Sequence, residues 1–206
     1  MRPLPRVHAF TDHAILSAPD FGIRAAAIAA AGAAVALHAR DRGGPGAGLA
    51  ASTLRMVALA RPPEAAVFVS GRPDIAAASG AQGVQLGAGD LSPADARRVL
   101  LHGWVGRSVH SLDEARVAVE EGADFLVVGS IYETPSHPGP AVGTGLVREA
   151  ARLGRPVIAI GGITPERVPE LKTAGAYGVA AIRALWQADD PAAATLSMLG
   201  PWVENP

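Results

Sequence analysis

The sequence predicts an α/β fold: a single (β/α)8 TIM barrel, one compact domain over residues 1–206. Three observations carry that prediction. Short β-type runs alternate eight times with alanine-rich helical runs. Each strand is followed by a helical crossover, which makes neighbouring strands parallel. No linker or charge block divides the chain. An open doubly wound sheet shares the alternation, but eight units favour closure.

The elements follow in order. Strands are predicted at 7–11, 34–39, 66–70, 83–86, 104–109, 125–132, 156–161 and 178–182, each a short run rich in Val, Ile, Ala or Phe. Between them, helical patterns run near 21–31, 47–61, 73–79, 93–101, 112–121, 144–153, 165–174 and 190–199. Ser92-Pro93 and Thr164-Pro165 place a capping hydroxyl before a proline at the first helical position. Ser111 followed by Glu114 reads as a capping box. Gly80, Gly122, Gly154 and Gly175 stand where helices should end.

Composition narrows the function. Eighteen Lys and Arg against nineteen Asp and Glu leave a net charge of −1. With no basic stripe, neither a nucleic-acid nor an anionic-membrane partner is expected. The absence of cysteine excludes disulfides, thiolate nucleophiles and Cys-bound zinc, and fits a cytoplasmic protein. The alanine-rich run 25–37 is too short and too weakly apolar to span a bilayer, and the first residues lack the apolar core of a signal peptide.

In a (β/α)8 barrel, function gathers at the C-terminal strand ends. The seventh strand ends in Gly161-Gly162 and the eighth in Ile182-Arg183. Loops after these two strands commonly hold phosphate through backbone N–H groups, and glycine permits the close approach. Arg183 adds a charge-assisted contact. A small phosphorylated metabolite is the expected ligand.

These segments complete a pattern. HAFTD (8–12), HARDR (38–42), SGRPDIA (70–76), GVQLGAGDLSP (83–93), GRSVHSLDEA (106–115), VGSIYETPSHPG (128–139) and VIAIGGITPERV (157–168) together resemble the thiamin phosphate synthase/TenI superfamily. The resemblance implies one of two activities. The synthase branch joins a pyrimidine diphosphate to a thiazole phosphate, releases diphosphate and requires Mg²⁺. It carries Gln-Leu-Arg-Glu-Lys where His38–Arg42 stands, Asn-Asp where Ser70-Gly71 stands, and a lysine where His137 stands. Only the acid matching Asp90 remains. The TenI branch, a thiazole tautomerase, needs no metal. It is similar at Gly71-Arg72, Val84-Gln85-Leu86, Gly106–Ser111 and Glu133-Thr134.

On those departures a tautomerase is expected, acting on a carboxythiazole phosphate with no cofactor. Its catalytic histidine would align with Ser130, a poor base at neutral pH. His137 or His110 is therefore expected to move the proton. Arg40 and Arg72 would grip a substrate carboxylate, with salt bridges to Asp41 and Asp74 as the structural alternative. The resemblance matches Thr134 and Ser136 to the Thr-x-Thr hydroxyls that contact the thiazole phosphate in the synthase branch, and His38, Arg42, Gln85 and Ser108 complete the expected binding set beside Gly161, Gly162, Ile182 and Arg183. The synthase, with Mg²⁺, is the alternative activity. A non-catalytic thiazole-phosphate-binding relative is the second. Homodimerisation is left open.

Overall fold

Short apolar runs become parallel strands only when both faces are covered, and this chain covers both. The computed structural model describes residues 2–61, 64–134 and 139–203. In chain order the elements are β1 (Val7–Phe10), α1 (His13–Ser17), α2 (Phe21–Ala29), β2 (Val35–Ala39), α3 (Gly46–Ala60), β3 (Ala66–Ser70), α4 (Pro73–Ser79), β4 (Gly83–Leu86) and α5 (Pro93–Val99). They continue as β5 (Trp104–Val109), α6 (Leu112–Glu120), β6 (Phe125–Val128), α7 (Gly143–Ala151), β7 (Val157–Ile160), α8 (Val168–Thr173), β8 (Gly178–Ala181), α9 (Arg183–Trp186) and α10 (Pro191–Leu199). The strands close into a barrel in sequence order, and β1 completes the ring by pairing with β8 through Val7↔Val179 and Ala9↔Ala181. The expected (β/α)8 barrel is the fold.

The seam is tied at its base. Arg6 lies 3.7 Å over the Tyr177 ring and donates to the Tyr177 carbonyl at 2.6 Å, while the Tyr177 hydroxyl donates to the Leu4 carbonyl at 2.7 Å. Strand alternation sends Val35, Leu37 and Ala39 outward under the helices and Ala36 inward. The interior is small, and glycine makes its room. A Cβ on Gly83 would lie 2.4 Å from the Phe68 ring, and one on Gly106 would lie 2.1 Å from Phe125. The two rings meet edge-to-face at 5.7 Å. Gly106→Ala is therefore expected to destabilise the fold by about 1–3 kcal/mol, seen as a lower urea midpoint, with Phe125→Leu recovering part of the loss.

A histidine pair shares this interior. His8 and His38 are fully buried, with His8 Nδ1 and His38 Nε2 2.8 Å apart. His8 Nε2 lies 3.0 Å from the Pro5 carbonyl, which can only accept, so Nε2 carries the proton. His8 Nδ1 must then accept from His38 Nε2–H, and both rings are neutral. His38 stacks on Phe10 at 3.8 Å and on Phe68 at 5.0 Å, and its Nδ1 has no hydrogen-bond partner among the described residues. Burial lowers the His8 pKa to about 4, the Pro5 bond opposing it; burial, then the neighbouring His8, push His38 well below its ordinary value.

Capping signals appear largely as expected. Ser92 and Ser111 accept from the amides of Asp95 and Glu114. Glu114 reaches back to the His110 amide at 2.7 Å, one residue before the capping-box position. Thr164 instead precedes a 3-10 turn, Pro165–Arg167, and makes no side-chain cap. The sixth strand stops at Val128, short of residue 132, because the chain turns there over the end of β7. Ile131 and Tyr132 donate to the carbonyls of Ile160 and Gly161. The helices α1 and α9 are too short to have shown a periodic pattern.

Candidate active site

The C-terminal strand ends open into one cavity of about 1150 Å³. Its floor is polar and neutral. Gln85 on β4 donates to the Ser108 hydroxyl on β5 at 2.6 Å and to the Leu86 carbonyl at 2.8 Å, and accepts from Ser70 at 3.3 Å. Gln85 and Ser108 are thus brought together as expected. His38 is not among the lining residues. The register pairs it with Phe10 and Phe68, below the Ser70–Gln85 level, so its expected substrate contact is corrected to an interior packing role.

One end of the cavity is cationic. Arg40 and Arg42 after β2 and Arg72 after β3 all line it. Arg72 forms a two-pronged pair with Asp74 at 2.8 and 2.5 Å, the structural alternative weighed for it, and still borders the cavity. Arg40 does not pair with Asp41, whose Oδ2 sits 3.2 Å from His13 Nδ1 instead. Burial, and then the like charge of Arg42, push the Arg40 guanidinium below its ordinary value; Asp12 works the other way.

The opposite end is built on glycine. Gly161 has φ +101° and Gly162 φ +64°. A Cβ on Gly161 would lie 2.5 Å from the Ser130 Cβ, and one on Gly162 would lie 2.9 Å from Tyr132. Ser130, 8% exposed, therefore packs edge-on to Gly161 and forms the wall. Ile182 and Arg183 complete this end, and Arg183 donates to the Thr134 hydroxyl at 3.2 Å. His110 lines the cavity with Nδ1 against the Gly129 carbonyl, an acceptor only, so the ring's proton is on Nδ1 in its neutral form. Ser136 and His137 lie outside the described residues.

Sequence reasoning missed Arg167. It borders the cavity, stacks 4.2 Å over the Tyr132 ring and donates to the Gly162 carbonyl. Tyr132 is itself anchored to Glu170 at 2.8 Å. The sole signal was its place in the loop after the seventh strand.

A family model described as thiamine monophosphate synthase matches residues 8–185, from the first strand to past the last. The chain belongs to the thiamine monophosphate synthase/TenI family. It is 48% identical over 140 residues to the thiamine-phosphate synthase of Thermus thermophilus, covering 66% of this chain and 68% of that one. It is 40% identical over 184 residues to the thiamine-phosphate synthase of Mycolicibacterium gilvum, covering 84% and 78%. The solved thiamine phosphate pyrophosphorylase from Pyrococcus furiosus superposes with TM-score 0.80 at 30% identity, covering 95% and 94%.

These likenesses overturn the expected tautomerase and isomerase assignment. The relatives are named as synthases, whereas the TenI choice rested on a handful of loop residues. The site agrees on physical grounds. Where the tautomerase base would stand is the wall hydroxyl of Ser130.

The synthase branch implies Mg²⁺, and the described residues do not fit a two-carboxylate magnesium site. At the end of β3, Gly71 has φ +72°, and a Cβ there would fall 2.9–3.0 Å from the carboxylate oxygens of Asp90. Asp90 thus stands against a glycine where a second acid would be needed, and its Oδ2 accepts the Gly87 N–H at 2.6 Å. Among the described residues no three His, Asp or Glu side chains gather to hold an ion.

Proposed function

We propose that the chain is a single-domain thiamine phosphate synthase, a transferase joining a pyrimidine diphosphate to a thiazole phosphate. The observation that carries this reading is the two-ended cavity. Arg40, Arg42 and Arg72 bound it on the β2–β3 side, and Gly161, Gly162 and Arg183 bound it on the β7–β8 side. In the closed ring β1 separates β8 from β2 on one side and β4–β6 separate β3 from β7 on the other, so the two groups bound different sides of the cavity. A reaction between two phosphorylated partners needs two anion sites, and three arginines suit a diphosphate better than the single carboxylate of a carboxythiazole phosphate.

The balance of the step is simple. A bond forms between the thiazole ring nitrogen and the pyrimidine methylene carbon as the carbon–oxygen bond to diphosphate breaks, and the diphosphate leaves with the electron pair. No proton has to move, so the lack of an imidazole at position 130 is no obstacle. The β7–β8 end fixes the thiazole phosphate with backbone amides and Arg183. The β2–β3 arginines face the charge that grows on the leaving group. Between them, the Gln85–Ser108 floor offers hydrogen bonds to a heteroaromatic ring.

Both substrates supplied together are expected to yield thiamin phosphate and diphosphate in equal amounts. No diphosphate, or diphosphate released without the thiazole, sinks the reading. The two ends should also separate kinetically. Arg183→Ala is expected to raise KM for the thiazole phosphate about tenfold or more and leave KM for the pyrimidine diphosphate nearly unchanged; Arg40→Ala is expected to do the reverse.

A further inference from the structure

We propose that the cavity binds the diphosphate group through arginine alone, so that neither diphosphate binding nor turnover depends on Mg²⁺. The inference rests on the synthase reading and deepens it. Its first support is Gly71. The residue against the Asp90 carboxylate is a glycine with left-handed backbone, so no second acid stands beside Asp90 there. Asp90 is in turn held by the Gly87 amide.

The second support is what surrounds the site instead. Among the described residues, arginines 40, 42, 72, 167 and 183 line the cavity against carboxylates 41, 90 and 133, an excess of positive charge. Three of those arginines stand at the β2–β3 end. Arg40 is half-buried next to Arg42, and its guanidinium makes no hydrogen bond among the described residues. Two guanidinium groups close enough to repel, one of them partly desolvated, are stabilised by an anion between them. Arg72 closes the third side, its Nη1 2.7 Å from where a Cβ on Gly46 would stand at the start of α3. Gly46 thus leaves space for the guanidinium where any side chain would take it. Guanidinium forks supply the charge and the paired hydrogen bonds that a diphosphate would otherwise obtain from a metal.

Titration calorimetry with inorganic diphosphate and the full chain tests the binding arm, in EDTA and in millimolar Mg²⁺. Binding in EDTA, little altered by magnesium, is the expected result, with Arg42→Ala and Arg72→Ala each weakening it about tenfold or more. Both side chains are exposed, so unchanged melting temperatures are expected to show that the variants fold. Binding seen only with magnesium, or binding indifferent to both substitutions, overturns the proposal. The turnover arm supplies both substrates under the same two conditions. Product in EDTA supports the proposal. Product formed only with magnesium overturns it and leaves the synthase reading intact. Diphosphate bound in EDTA with no product under either condition supports arginine binding and overturns the synthase reading instead.

Discussion

Gly161→Ala is expected to lose thiazole-phosphate turnover and stability together. The backbone at Gly161 has φ +101°, and an added methyl would lie 2.5 Å from Cβ and 2.9 Å from Oγ of Ser130. Neither obstacle is easily relieved. Ser130 is nearly buried, and its carbonyl already accepts the Val142 amide at 2.8 Å. A residue forced into such a conformation costs about 1–3 kcal/mol, and each kcal/mol lowers the melting temperature by about 2–4 °C in a chain this long. If the loop shifts to make room, the amides proposed to hold the phosphate move with it. Loss of two charge-assisted hydrogen bonds then lowers kcat/KM by about a hundredfold or more. Gly145→Ala is the control. It lies inside α7, and a Cβ there meets nothing within 4 Å. That variant should keep full activity and gain about 0.5–1 kcal/mol. Full activity in Gly161→Ala would remove the glycine pair from the phosphate site.

The barrel was legible because its signals are local and repeated. Buried parallel strands such as 66–70 and 83–86 appear as short apolar runs, and Gly80, Gly122, Gly154 and Gly175 all take the positive φ expected of helix ends. The glycines of the interior carried no such sign. Gly83 and Gly106 look like ordinary strand residues until Phe68 and Phe125 are seen filling the space beside them. That packing is set by partners far along the chain, and no window of sequence contains it.

The glycines and arginines expected at the site line one cavity, as does His110, while His38 falls elsewhere. Arg40, Arg42, Arg72 and Arg183 reach one cavity because strand ends converge there whatever the side chain. His38 also stands near a strand end, but inward-facing residues of a strand come every second position, and the cavity-lining residue is Arg40, two residues further on. Position 38 falls in the lower layer, against Phe10 and Phe68. The choice of chemistry failed for a related reason. A missing acid at Gly71 reads in sequence as lost synthase function. In three dimensions the same glycine packs against Asp90 and lines the cavity together with Arg40, Arg42 and Arg72.

The buried histidine pair should make the barrel acid-sensitive in a defined window. Folding keeps His8 and His38 neutral, the His8 pKa being lowered to about 4 and His38 pushed well down. In the unfolded chain both rings return to an ordinary value near 6.5 and take up protons first as pH falls. The unfolded state then binds more protons than the native one, so stability rises with pH across this interval. The contribution is fully present above pH 6.5 and is lost progressively down to about pH 4. For His8 alone this amounts to about 3 kcal/mol. The rings that surround the pair, Phe10, Phe68 and Phe125, offer an imidazolium no counter-charge. Urea midpoints measured from pH 7.5 to 4 should therefore fall most steeply below 6.5. The double variant His8→Phe, His38→Leu should flatten that part of the curve, whereas His102→Ala, at an exposed position, should leave it unchanged. Replacing both partners matters, because removing His38 alone strands the His8 Nδ1 acceptor in an apolar interior. An unchanged slope in the double variant would place the acid sensitivity in the surface carboxylates instead.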